Sequence, residues 1–244
     1  METIFQVYLT EKVDFKDKIF LAGFRSHIGQ TGYIAVRHLV ENEKSKRIGF
    51  IDTTYMPPSA FMGKKGILTP FELYLHDKFV IFFSRSQPQR IEWNDLIRNF
   101  VKWLKEQGIT EAVLLGGLDN QFQPEDEELR VAATTQYLKK KPMEENYKFI
   151  ETDLGIYGPL ALFLSYFEIF DVPALALLPY AESGRPDPRA AAVALSHLSK
   201  LYNVKFDIEP LIQDAEEIEK EIQKILTQQQ ERADSERKGT NMYI

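Results

Sequence analysis

Residues 112–117 read AVLLGG, an uninterrupted apolar run that stops at two glycines. A second run of this kind, Ile19–Ala22, also ends at a glycine. Short apolar runs without polar alternation are typical of strands buried on both faces of a mostly parallel sheet. Four further segments are predicted strands: Ile4–Leu9, Arg47–Ile51, Phe79–Ser84 and Ala174–Leu178.

Helical patterns separate these strands. Asn94 is a predicted N-cap for a helix over Asp95–Gln107, and Asp187 is one for a helix that begins at Pro188. A further helix is predicted over Glu125–Leu138, because acidic residues open this segment and lysines follow it. Alternation of strands and helices predicts a three-layer α/β sandwich with a mostly parallel sheet.

The C-terminal region carries an amphipathic helix. Its apolar positions are spaced by four, three, four and three residues, which places them on one helix face: Leu211, Ala215, Ile218, Ile222 and Ile225. Such a stripe either packs on its own domain or forms a seam between subunits, since two heptads resemble a short coiled coil.

After Leu226 the chain is polar up to Asn241, so we expect a mobile tail there. It then ends Met242-Tyr243-Ile244, which has the form hydrophobic–tyrosine–any residue. Folding does not explain an apolar triplet beyond a polar tail, whereas capture in a partner's pocket does. The tyrosine ring offers contact area and a hydroxyl, and the terminal carboxylate can pair with a lysine. The alternative is a frayed end without a role.

Composition excludes several classes of function. The 244 residues carry a net charge of −6 and no cysteine. Broad nucleic-acid or anionic-membrane binding is disfavoured, as are thiolate metal sites and cysteine nucleophiles. The four histidines are far apart and lack metal-ligand spacing, so we expect no metal and no cofactor. The sequence begins without a secretory signal and has no span of about 20 apolar residues, which predicts a cytoplasmic protein.

One glycine-rich turn is a candidate anion site. It contains Gly23, Arg25, His27 and Gly29, follows a strand and opens a helix, and Arg185 lies in a second loop of similar character. Backbone amides at such turns can cradle an anion. The turn is neither a Walker loop nor a dinucleotide fingerprint. Glycines at these positions are equally explained by positive φ and by close helix–strand packing.

Several segments together resemble the proteasome assembly chaperone family. The resemblance covers about residues 3–226, and Asp187-Pro188-Arg189-Ala190-Ala191 is its most specific piece. Its other segments are Phe20–Phe24, Ile28–Tyr33, Arg47–Gly49, Gly108–Leu118 and Gly155–Leu160, followed by the isoleucine-rich last helix. The residues Phe24-Arg25-Ser26 depart from the family's usual pattern in the first glycine loop, so we interpret the candidate anion site as vestigial.

The resemblance implies a fold similar to purine nucleoside phosphorylases. The family's chaperone members are not known as enzymes, so we expect no catalytic residue in this chain. The family includes archaeal relatives that end in the hydrophobic–Tyr–X motif. In proteasome activators, this motif inserts between neighbouring α subunits of the core particle. The implied organisation is a chaperone-like domain at 1–226 and a flexible tail at 227–244 that binds through Met242, Tyr243 and Ile244.

The implied function is that of an ATP-independent assembly chaperone or activator. Its expected partners are the proteasome α subunits and further copies of the chain in a homo-oligomer above a dimer. A paralogous chaperone is a further candidate partner. The alternative function is a nucleoside phosphorylase-like or hydrolase-like enzyme that binds an anion at the glycine-rich turn.

Overall fold

A computed structural model of the chain describes residues 4–41, 44–64, 66–141 and 147–240. The helices are α1 (Thr31–Glu41), α2 (Trp93–Glu106), α3 (Thr135–Lys140), α4 (Pro159–Ile169), α5 (Pro188–Tyr202) and α6 (Glu209–Thr240), with a 3-10 turn at Asn120–Phe122. The strands are β1 (Phe5–Leu9), β2 (Ile19–Gly23), β3 (Lys46–Thr53), β4 (Phe61–Gly63), β5 (Gly66–Leu68), β6 (Phe71–His76), β7 (Phe79–Ser84), β8 (Glu111–Leu115), β9 (Leu118–Asp119), β10 (Leu129–Ala133) and β11 (Ala174–Ala181).

One large sheet runs in the order β1-β3-β6-β7-β2-β8-β11-β10, and β9 pairs with β11. Its centre, β7-β2-β8-β11, is parallel, whereas the pairs at both flanks are antiparallel. The three-layer α/β architecture is therefore confirmed, but the sheet is mixed and not mostly parallel, because the strand pairs at its flanks are antiparallel. The antiparallel pairing of β6 with β7 follows from a tight turn in which Asp77 adopts a left-handed φ of 54°.

Helices cover both faces of the sheet. On one face α1 and α5 pack on the sheet, with the first turns of α6 outside them. On the other face α2 and α4 enclose a core rich in phenylalanine, in which the Phe100 ring lies 5.0 Å from that of Phe82 and 5.5 Å from that of Phe20. The two cores leave the carboxyl ends of the parallel strands at one edge of the sheet.

The predicted helix over Glu125–Leu138 is wrong. Residues 129–133 form β10 instead, antiparallel to β11, and only α3 is helical within that segment. The side chains of Leu129 and Val131 are buried, whereas Arg130 between them is not, which is the two-residue period of a strand. Pairing with a buried strand outweighs the local helix propensity of this segment.

Helix α6 extends beyond the end expected from the sequence. It continues from Leu226 to Thr240, because good helix formers without glycine or proline occupy residues 211–237. Leu211 and Ala215 at its start are buried against the domain, whereas Ile225 is 54% exposed. The apolar positions of this helix, which we call the α6 stripe, thus pack on their own domain at one end and lie open at the other: Leu211, Ala215, Ile218, Ile222 and Ile225.

Candidate functional site

The glycine-rich turn lies at the carboxyl edge of the sheet, where α/β folds commonly bind ligands. Here the backbones are in direct contact. A Cβ on Gly23 would lie 2.1 Å from the carbonyl oxygen of Gly32, and a Cβ on Gly32 would lie 2.0 Å from that of Leu115. These two glycines therefore allow the first turn of α1 to sit directly on the ends of β2 and β8, which favours the packing interpretation of the turn.

The turn also pairs with the loop that contains Arg185. The amide of Gly184 donates to the carbonyl of His27 at 2.8 Å, and the amide of Asp187 donates to that of Gly29 at 2.8 Å. Gly29 itself has a left-handed φ of 60°. The structure thus brings the two predicted loops together, and the two loops satisfy part of each other's backbone.

An internal carboxylate occupies the start of α5. The Asp187 side chain accepts hydrogen bonds from the amides of Ala190 and Glu182, both at 3.0 Å. It is the N-cap expected from the sequence, with Pro188 at the first helical position. Because this carboxylate already fills the positive end of the helix, an external anion has little to gain there.

The two candidate arginines are engaged by neighbours. The Arg25 guanidinium carbon lies 3.7 Å from the centre of the Tyr33 ring, and its Nη1 donates to Gln30 at 3.3 Å. Arg185 donates to the Glu182 carboxylate, which raises the pKa of Arg185 and lowers the pKa of Glu182. His27 is exposed. Each arginine therefore makes a contact that anion binding would have to displace or share.

The cavity beside Arg25 is small. It has a volume of about 10 Å³ and is lined by Phe24, Arg25, Ser84, Gln87, Pro88 and Pro159. Substrate pockets usually have volumes of about 300–1,000 Å³, whereas this one has room for about one water. Beneath the turn, the Thr31 hydroxyl is buried and makes no hydrogen bond within the described ranges. This edge of the sheet resembles a closed packing junction more than an open substrate site.

The terminal triplet Met242, Tyr243 and Ile244 lies outside the described residues. The helix that precedes it is described to Thr240. Glu219 of α6 pairs with Arg189, in the first turn of α5, at 3.0 Å. The 21 residues that follow Glu219 extend about 30 Å at 1.5 Å each, so the end of α6 reaches well past the carboxyl edge of the sheet.

Sequence reasoning missed a buried ionic cluster on β6. The Glu72 side chain is fully buried and accepts from Arg47 at 2.8 Å, from Arg85 at 3.1 Å and from the Tyr74 hydroxyl at 2.8 Å. Burial, followed by the Glu72 charge, raises the pKa of Tyr74 to about 12. An acid inside the apolar stretch FELYLH at residues 71–76 is the signal that points to it. With both oxygens paired, Glu72 fixes β3, through Arg47, and the residue that follows β7, Arg85, to β6.

The described part of the chain shows neither a metal-binding cluster nor a membrane-spanning helix. No group of three or more His, Asp or Glu side chains has the arrangement needed to hold a metal ion. Among the same residues, no helix combines the length and apolar character that crossing a membrane requires.

Comparison with known proteins identifies the family. The model of the PAC2 family matches residues 20–226, most of the chain. The chain belongs to the PAC2 family. A relative in sequence is the uncharacterized protein MJ0106 of Methanocaldococcus jannaschii, which is 27% identical over 237 residues, a match that covers 96% of this chain and 95% of the relative.

Solved structures share the PAC2 fold. Pyrococcus furiosus PbaA, described as an archaeal homolog of proteasome-assembly chaperone, matches with a TM-score of 0.81 and 24% identity over 98% of this chain and 99% of its own. Pyrococcus furiosus PbaB, described as an archaeal proteasome activator, matches with a TM-score of 0.73 and 20% identity over 91% and 98%. The family resemblance and the fold expected from the sequence are thereby confirmed.

Proposed function

We propose that this PAC2 protein is an ATP-independent proteasome assembly chaperone or activator. It docks on the α ring of the core particle through Met242, Tyr243 and Ile244. The observation that carries the proposal is the combination of a PbaA-like fold over nearly the whole chain with a hydrophobic–Tyr–X terminus beyond a projecting helix. The described roles of PbaA and PbaB support the choice of partner.

The geometry of α6 supports this mode of docking. A terminal peptide reaches a pocket on another particle only if it stands clear of its own domain. The helix extends about 30 Å past the Arg189–Glu219 pair, and its described side chains after Glu219 are exposed or half-buried. The domain would thus act as a base, and the helix as a spacer that holds the terminal residues away from it.

The alternative of a phosphorylase-like or hydrolase-like enzyme is less well supported. A phosphate at the glycine-rich turn would need room and free donors. The cavity there has a volume of about 10 Å³, and both Arg25 and Arg185 are engaged by neighbouring side chains. We therefore propose no catalytic role for these residues.

A pull-down against the purified core particle tests the proposal. The full chain should retain the core particle without added ATP, and a chain that lacks Met242–Ile244 should not. The double variant Arg25→Ala/Arg185→Ala serves as a control for the enzyme-like site and should bind normally. Equal retention by the full chain and the truncated chain would contradict the docking mode.

We further propose that the chain forms a homo-oligomer above a dimer through the open half of the α6 stripe. Ile222→Asp/Ile225→Asp should weaken self-association about 100-fold, since losing about 3 kcal/mol of apolar burial per copy corresponds to that factor. Sedimentation velocity at micromolar concentration measures this effect. Gln223→Asp/Thr227→Asp is the matched control, because it adds the same two negative charges at exposed positions outside the stripe. An unchanged mass for the double variant would rule out the α6 seam.

A further inference from the structure

Strand β1 forms one end of the large sheet, and the pattern of its hydrogen bonds shows which of its groups face outward. The Thr54 amide donates to the Ile4 carbonyl at 3.2 Å, and the Thr10 amide donates to that of Ile48 at 2.9 Å. In an antiparallel ladder, hydrogen-bonded positions alternate along each strand. The even-numbered residues of β1 therefore bond to β3, and the N–H and C=O groups of Phe5, Val7 and Leu9 point away from the sheet.

Among the described residues, this edge carries none of the usual protection against pairing. Natural edge strands commonly carry lysine, proline or a bulge. The sequence of β1 is FQVYL, and its register with β3 is regular. Apolar side chains are exposed here, with 48% for Tyr8 and 37% for Leu9. The opposite end of the sheet differs, because residues 148–150 bond to Val131 of β10 and cover part of its edge.

A groove runs beside the open edge of β1. It has a volume of about 410 Å³ and lies between β1 and α2. Phe5, Gln6 and Val7 line it from the strand, and the helix contributes Asn99, Lys102, Trp103 and Glu106. These helix positions share one face, and Lys102 and Glu106 bring one positive and one negative charge.

We propose that the edge of β1 pairs with β1 of a second copy, antiparallel about a two-fold axis at Val7. Val7 then faces Val7, and Phe5 faces Leu9 of the other copy. The outward groups of these three residues form roughly six main-chain hydrogen bonds. The inference is independent of the proposed function and of the α6 seam.

Self-complementarity argues for a second copy as the occupant. The outward-facing residues Phe5, Val7 and Leu9 are symmetric about Val7. A single register therefore pairs the outward N–H and C=O groups of all three residues on both strands. Phe5 packs toward α2, with its ring 5.9 Å from that of Phe100, so the odd-numbered side chains of both strands fall on the α2 face, where the groove lies. Lys102 and Glu106 already form an ion pair at 4.0 Å within α2, so the face that α2 turns toward a second copy carries balanced charge and does not repel its own copy.

The absence of cysteine allows a test of this register. In the proposed pairing, position 6 lies directly opposite position 8 of the other copy, about 4.5 Å apart between Cα atoms. Positions 6 and 6, or 8 and 8, are diagonal neighbours about 7–8 Å apart, which exceeds disulfide reach. Both side chains are exposed and lie on one face, where the Tyr8 hydroxyl donates to Gln6 at 3.1 Å.

The expected result is therefore specific to the register. After mild oxidation of the full chain, Gln6→Cys/Tyr8→Cys should form about tenfold more covalent dimer on a non-reducing gel than either single variant. Adding Val7→Pro, which removes an outward N–H and no bond to β3, should abolish the dimer. Val7→Thr is the matched control, since it keeps both the N–H and the branched shape, and it should leave the dimer in place.

Three results would overturn the proposal. The first is the absence of a covalent dimer from the double variant while its thermal unfolding under reducing conditions matches that of the unmodified chain. The second is equal cross-linking of the single and double variants, which indicates random collision. The third is slow hydrogen exchange at the amides of Phe5, Val7 and Leu9 without a covalent dimer, which assigns the edge to a different occupant.

Discussion

Tyr243→Ala is expected to weaken binding to the proteasome core particle at least about 30-fold for each engaged tail, which corresponds to about 2 kcal/mol. In the proposed docking mode, the substitution would remove the buried ring, the hydroxyl and the contacts that position the terminal carboxylate beside a lysine of the partner. If several tails of one oligomer engage the same ring, the losses combine, and binding should fall below detection. The fold should not change, because the triplet lies beyond a helix whose core contacts are near Leu211 and Ala215.

Surface-immobilised core particle with the full chain in solution gives the measurement. Addition of one residue after Ile244 should be nearly as damaging, because it moves the carboxylate away from its lysine. Thr227→Ala, at an exposed position of α6, is the control for a change that leaves the terminus intact. Binding of Tyr243→Ala and of the extended chain at the strength of the unmodified chain would assign docking to another surface.

Gly32→Ala is expected to destabilise the domain by at least about 3 kcal/mol, which ranks with the large effects of single substitutions. The new Cβ would lie 2.0 Å from the Leu115 carbonyl oxygen, and that atom belongs to a central strand bonded on both sides. The β8 backbone cannot move away without breaking sheet hydrogen bonds, and α1 can retreat only by losing its packing on the sheet and on α5. The free energy of unfolding in urea, measured with the intrinsic tryptophan fluorescence, reports the loss.

Gly116→Ala is the matched control for Gly32→Ala. Its Cβ would meet two leucine methyl groups at 2.7 Å, those of Leu160 and Leu178, and side-chain ends can shift where a backbone cannot. The cost should therefore be about 1–2 kcal/mol, typical of moderate overpacking. Equal effects of the two substitutions would show that the contact between α1 and β8 adapts more readily than the structure indicates.

The central strands were predictable because each carries its information locally. Ile19–Ala22 and Ala112–Leu115 are apolar at every position, and no amphipathic element has that pattern. Strand β10 was not predictable in this way. Its segment follows Pro124 and a run of acids, which is a strong helix signal, and only the presence of β11 beside it decides the outcome. Strand β6 was missed because Glu72 interrupts its apolar run, and the arginines that neutralise it are 25 and 13 residues away in sequence.

The candidate site likewise has features that the local sequence predicts and features that depend on distant segments. The cap formed by Asp187 and the packing role of Gly23 are local properties. Both were therefore predictable from the sequence, as alternatives to ligand binding. The pairing of the glycine-rich turn with residues 183–187 joins segments more than 150 residues apart, and no local pattern reveals it. The open edge of β1 was equally hidden, because a strand becomes an edge only through the order of the whole sheet.

The length of α6 fixes an angle as well as a distance. Each residue of an α-helix turns the chain by about 100°, so the direction in which it leaves α6 depends on the number of residues after the Arg189–Glu219 pair. Deleting two residues shortens the helix by only about 3 Å but rotates its end by about 200°, whereas deleting seven shortens it by about 10 Å and restores the direction to within about 20°. In an assembly with several such helices, rotational phase would decide whether their ends converge toward the axis or diverge from it. Insertions and deletions in this helix should then be tolerated according to their remainder after division by seven, and not according to their size.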